Sequence, residues 1–206
     1  MPERSEVGRL ETFSDGVFAI AATLLILNVS SRVPELAGGR AWLAYAAYAV
    51  TFVNMGIIWV NHHTAFTQVG RVDRTFLMLN VFFLMFVAFI PYPTGLLTEH
   101  LGRPGAERAA LLYGGTLTAT AVCTNLWWLY ASRWRHLLRH DAAPRLVAGI
   151  TRSYLVGPFV YLAATLVALV SPNVAAVLYA AIAVFYVAES SRFGGRTPDA
   201  ARSDRD

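Results

Sequence analysis

Arg9, Ser14 and Asp15 stand within a few residues of one another, immediately before the apolar run Gly16-Val17-Phe18-Ala19-Ile20-Ala21-Ala22-Thr23-Leu24-Leu25-Ile26-Leu27. They put a cation, a hydroxyl and a carboxylate at the mouth of a membrane helix, where ionisable groups are expensive and are kept for a reason. A carboxylate at the bilayer centre costs about 2.5–3.5 kcal/mol on the insertion scale. Near the interface the cost falls, and Ser14 or Asp15 can serve there as a helix cap by accepting a bond from a free backbone N–H. Arg9 and Asp15 lie about 120° apart around a helix, so if both are paired, other helices must supply the partners. The best source is the end of the second apolar stretch, which carries Asn54 and then Trp59-Val60-Asn61-His62-His63-Thr64-Ala65-Phe66. Metal binding is the competing chemistry for these histidines, and the spacing disfavours it. Adjacent His62 and His63 point about 100° apart, and His136 and His140 have helical spacing but no Cys or Glu beside them. No metal or cofactor is expected. No nucleophile constellation stands out either, which argues against an enzyme. Asn28, Asn80, Asn125 and Glu189 read as interhelical hydrogen-bonding groups.

The elements that must position these residues are membrane helices. An apolar share of 56%, a charged share of 15% and a mean hydropathy of +0.47 exclude an ordinary soluble domain. Charge-free stretches run 16–31, 41–70, 75–98, 109–132 and 153–188, and a helix needs roughly 20 apolar residues to cross a bilayer. The last stretch is broken by Ser171-Pro172-Asn173 and holds two helices. The expectation is an all-α integral membrane protein with six transmembrane helices, spanning about 13–30, 41–66, 75–97, 109–131, 150–170 and 173–189. Residues 1–193 form this one domain, and the polar tail 194–206 is expected to be disordered. Gly157-Pro158 predicts a kink in the fifth span. The stretch 132–140, with Trp134 among arginines and histidines, reads as a helix end or short interfacial helix on an anionic leaflet.

All 17 basic residues are arginine. Thirteen of them fall in the two tails and in the loops after the second and fourth spans, against four (Arg32, Arg40, Arg103, Arg108) on the other side. The positive-inside rule therefore puts both termini in the cytoplasm of a multi-pass cell-membrane protein and requires an even number of spans. The pI near 9.5 reflects this asymmetry and does not point to nucleic acid. Cys123 is the sole cysteine, so no disulfide framework exists and a small buried hydrophobe is its expected role. Glu3, Glu6 and Glu11 precede the first span and no clear cleavage site follows it, so it reads as a retained helix and not a signal peptide.

Along the first span, Ile20, Leu24 and Leu27 fall within about 60° of one another, with Thr23 and Gly16 at the edge of the same stripe. By itself such a stripe faces lipid or another helix. However, the pattern R-x-x-x-F-S-D, here Arg9 to Phe13-Ser14-Asp15, resembles the signature of the transmembrane protein 175 family of potassium channels, especially its short bacterial members. The resemblance implies a homotetramer in which the first helix of each subunit lines a central path for potassium ions. It implies that Ile20, Leu24 and Leu27 form the narrow part, with Thr23 at a hydroxyl position nearby. It also implies a structural polar network of Arg9, Phe13, Ser14, Asp15, Asn61, His62 and His63 that holds this helix against the second. No Thr-Val-Gly-Tyr-Gly filter loop occurs in the chain, so selectivity would have to come from the helix-lined constriction. The competing reading is a secondary transporter of a small cation or solute, which would ordinarily show internal repeats and paired broken helices.

Overall fold

In the structure, a computed structural model, the backbone is described for residues 2–31, 41–133 and 135–193, and side chains for 6–31, 41–133 and 136–188. The tail 194–206 and the side chain of Glu189 lie outside the described residues. Among the described residues seven α-helices follow in order: α1 Pro2–Ser30, α2 Ala41–Phe66, α3 Arg74–Phe89, α4 Pro91–His100, α5 Ala106–Arg133, α6 Pro144–Val167 and α7 Pro172–Phe193. Four stretches among the described residues are long and apolar enough to cross a membrane: Glu6–Ser30, Ala41–Phe66, Arg74–His100 and Pro144–Val167. Pro172–Ala188 is a shorter apolar helix. The chain is an all-helical, multi-pass membrane protein.

The third stretch departs from the single span expected over 75–97. It divides at Ile90 into α3 and α4, because Pro91 and Pro93 have no N–H to give to the preceding turn and their rings crowd it. Ile90 keeps helical dihedrals, φ −49° and ψ −42°, so α4 continues α3 after a break in the hydrogen-bond ladder. One turn on, the Thr94 hydroxyl donates to the Ile90 carbonyl at 2.9 Å. Helix α6, by contrast, remains a single α-helix through Pro158.

Helix α5 is the hub, packed by α3, α4, α6 and α7. Its composition suits that place. Thr116, Thr118, Thr120 and Thr124 each donate to the carbonyl one turn back, at 2.8–2.9 Å. This consumes their hydroxyl protons within the helix and lets a threonine-rich segment be buried. At Gly114 a Cβ would lie 2.0 Å from Tyr179 Oη and 2.3 Å from Thr165 Oγ1. Glycine is therefore what lets α6 and α7 approach α5 there.

Of the two forms expected at 132–140, the helix end is found and the interfacial helix is not: α5 ends at Arg133, a single 3-10 turn covers Arg135–Leu137, and an antiparallel bridge pairs Leu138 with Val69. Gly70 N and Arg71 N donate to the Leu137 carbonyl at 2.8 and 3.1 Å, and Arg139 N donates to the Gln68 carbonyl at 2.9 Å. The neighbouring loop thus takes backbone groups that a helix would have used internally. His136 and His140 consequently do not share a helix face. At the same end Asp73 caps α3, its Oδ1 accepting from Phe76 N at 2.8 Å, and takes a second bond from Tyr130 Oη of α5 at 2.7 Å.

Candidate functional site

Helix α1 has two unlike sides. Leu10, Ser14, Phe18, Ala21, Leu25 and Val29 are buried, at steps of three and four that define one face, and the helix packs against α2, α3 and α4. Opposite them Phe13 is 57% exposed, Ile20 62%, Leu24 46% and Leu27 62%. Gly16, Thr23 and Ser30 are exposed as well. Phe13, Gly16, Ile20, Thr23, Leu27 and Ser30 succeed one another at steps of three and four alternately, the spacing of a helix seam that meets other helices. Glycine and two hydroxyls on that seam are more than lipid contact requires, whereas small residues are what helix interfaces in membranes favour. Thr23 Oγ1 donates to the Ile20 carbonyl at 2.8 Å, leaving its lone pairs free on the exposed side.

The buried side is held by a chain of side-chain hydrogen bonds at the Arg9 end. Ser14 Oγ donates to the Leu10 carbonyl at 2.9 Å and accepts from Asn80 Nδ2 of α3 at 3.0 Å. Asn80 Oδ1 lies 3.0 Å from His62 Nε2 of α2. An amide oxygen only accepts, so His62 must carry its proton on Nε2 in this pair. The three residues are buried, and together they join three helices. The His62 ring stacks on Phe83 at 5.3 Å and 7° and on Phe66 at 4.2 Å and 27°, with Phe18 and Trp127 beside it. This aromatic box orients the imidazole.

A second, more exposed pair of contacts brackets the chain. Asp15 Oδ1 accepts from Trp59 Nε1 at 2.8 Å, and His63 Nδ1 lies 2.9 Å from Glu11 Oε1. The Trp59 and His63 rings stack at 5.8 Å and 20°. Asp15 thus binds α2 instead of capping its own helix, since α1 begins at Pro2, well before the expected start at 13.

Of the residues expected in the network, Ser14 and His62 meet through Asn80, while Asp15 and His63 bind α2 and α1 respectively through Trp59 and Glu11. Arg9, Phe13 and the Asn61 side chain do not join it. Arg9 is exposed with no hydrogen bond or ion pair among the described residues. Asn61 contributes its backbone carbonyl, which accepts from Tyr154 Oη of α6. Asn80, expected as an interhelical hydrogen-bonding group, is one, bonding both Ser14 and His62. Its signal was its isolation, one amide in Phe76-Leu77-Met78-Leu79-Asn80-Val81-Phe82-Phe83, where an unpaired polar group would be costly.

These features define a class: a helical multi-pass membrane protein whose first helix is clamped on one side by a buried polar relay and bare along a regular seam on the other. The family described as endosomal/lysosomal potassium channel TMEM175 matches residues 9–91. A protein named as a potassium channel in Chamaesiphon minutus is 37% identical over 198 residues, covering 92% of this chain and 98% of the relative. One named likewise in Streptomyces collinus is 45% identical over 142 residues, 65% of this chain and 68% of the relative. The crystal structure of a lysosomal potassium-selective channel TMEM175 homologue from Chamaesiphon minutus matches with a TM-score of 0.77 at 36% identity, over 90% of this chain and 98% of that one. The present chain belongs to the TMEM175 family.

Proposed function

We propose that this protein is a potassium-selective channel that conducts through the axis of a homotetramer, with α1 of each subunit lining the path. The observation that carries the reading is the seam on α1, exposed in the lone subunit although the helix is gripped by three others. Closed cyclic symmetry would place four copies of each seam residue around one axis. Ile20, Leu24 and Leu27 would then close the path as an apolar constriction that conducts when it widens and wets. Thr23 would present hydroxyl lone pairs to hydrated ions. Arg9, eleven residues before Ile20, lies about 20° from it around the helix, so its partner would come from a neighbouring subunit. The names of the relatives supply the ion. Reading α3 and α4 as one crossing, with α5 and α7 also spanning, gives six spans, and the arginine distribution sets both termini in the cytoplasm.

A secondary transporter would call on paired discontinuous helices. Among the described residues the interruption at Ile90–Pro91 has no counterpart in α6, so the channel reading is preferred. The test is ion flux from proteoliposomes under matched potassium and sodium gradients. We expect passive, non-saturating flux with potassium ahead of sodium; saturating flux that needs a counter-ion would replace the channel with a carrier.

A further inference from the structure

The alternate steps of three and four on α1 do not stop at Phe13. Continued toward the N-terminus they fall on Arg9 and then on Glu6, and the backbone there is already helical, since α1 begins at Pro2. Both side chains are exposed. Glu6 lies about 40° to one side of Ile20 around the helix and Arg9 about 20° to the other, roughly one turn apart along the axis.

Four charged residues stand between 6 and 15, Glu6, Arg9, Glu11 and Asp15, and they divide by face. Off the seam, Glu11 is bonded to His63 and Asp15 to Trp59, both on α2. On the seam, Glu6 and Arg9 have no hydrogen bond or ion pair among the described residues, although their i, i+3 spacing puts them within reach of one another. The subunit thus satisfies the charges that face its own second helix. It leaves an acid and a base on opposite flanks of the line where it meets its copies.

Cyclic assembly joins one flank of each subunit to the other flank of the next. We propose that Glu6 of each subunit pairs with Arg9 of its neighbour, so that four ion pairs close a ring at the cytoplasmic mouth of the path, with Glu6 about 10 Å beyond Phe13 along the helix. The ring rests on the tetrameric reading above and completes the polar end of its seam. An isolated exposed ion pair contributes little to stability, whereas charges joined in a network contribute more. The pairing also sets the field at the entrance. Four arginines alone at that level would repel potassium, and four glutamates among them leave the mouth neutral.

The test combines native mass spectrometry of the full chain in mild detergent with potassium flux from proteoliposomes. Glu6→Arg gathers like charges around the axis and should cut the tetramer fraction roughly tenfold. Adding Arg9→Glu to it should restore the tetramer, because the same pairs form with their signs exchanged. Glu6→Gln is the milder change; it leaves Arg9 in place and should lower flux roughly fivefold at about 10 mM salt and hardly at all at about 1 M, where charges are screened within about 3 Å. Glu107→Gln, at the start of α5, should alter neither the tetramer fraction nor the salt dependence. A parent of another stoichiometry would remove the tetrameric reading and the ring with it. A tetrameric parent whose Glu6→Arg variant remains tetrameric, or whose Glu6→Gln flux falls equally at both salt concentrations, would overturn the ring and leave that reading standing. So would failure of Arg9→Glu to rescue Glu6→Arg in protein of parental helix content.

Discussion

Potassium flux through the Ile20→Asn protein should rise about tenfold or more over the parent, equivalent to about 1.4 kcal/mol removed from the barrier, and potassium should lose most of its advantage over sodium. Ile20 is 62% exposed in the subunit and sits mid-seam between Gly16 and Thr23. In the proposed assembly four branched side chains meet at that level, where water and ions are unfavourable until the ring widens. Asparagine has similar reach and offers a carbonyl and an amide, so four copies would hold water in the constriction permanently. A wet ring conducts more and discriminates less. The measurement is flux from liposomes together with bi-ionic reversal potentials, on protein shown to assemble as the parent does. Unchanged flux and unchanged reversal potential in an intact assembly would remove Ile20 from the path.

The second large effect is on stability, and it falls at Asn80. Asn80→Ala should lower the thermal midpoint in detergent sharply and reduce the yield of assembled protein, because it strips a donor from Ser14 and an acceptor from His62 at once. Ser14 keeps its bond to the Leu10 carbonyl, but the buried His62 N–H is left unsatisfied at about 1–3 kcal/mol, and a cavity left by the amide adds to this. Interhelical bonds in membranes are individually modest, on average nearer 0.6 kcal/mol. The greater part of the loss therefore comes from the unpaired imidazole N–H and the cavity. It follows that the triple change Ser14→Ala, Asn80→Leu and His62→Phe should recover much of the lost stability, since all three polar groups go together. If the triple variant melts lower than Asn80→Ala, the relay contributes more than pairwise satisfaction and this account of it is wrong. If Asn80→Ala melts like the parent, α1 is not anchored there.

Much of the bundle was legible because membrane helices announce themselves by what they lack. The second helix runs from Ala41 to Phe66, matching the expected 41–66, because charges and a polar loop delimit it on both sides. The first helix was expected from 13, yet it begins at Pro2. Hydropathy sees only its apolar part, while its polar first turns continue the same backbone. The break at Ile90 was written in Pro91 and Pro93, but an apolar count passes over proline. The segment 132–140 looked helical from local charge spacing, and its actual form depends on Val69 and Gly70, more than sixty residues earlier in sequence. The same holds at the candidate site. Ser14, Asp15, His62 and His63 were visible as costly groups near a membrane helix end. Their partners Asn80, Trp59 and Glu11 follow from helix packing, which no single segment contains.

The central claim is that the α1 seam of one subunit meets the seams of its copies. Oxidative cross-linking addresses it most directly, with Cys123→Ala as the background so that an introduced thiol is the sole one. Leu27→Cys on the seam is compared with Val177→Cys, which is 67% exposed on α7, each in proteoliposomes under mild oxidant. A disulfide needs Cα atoms within about 7 Å. The account predicts covalent dimers for Leu27→Cys and monomers for Val177→Cys; dimers from Val177→Cys with Leu27→Cys remaining monomeric would place α7, not α1, at the subunit junction and contradict it.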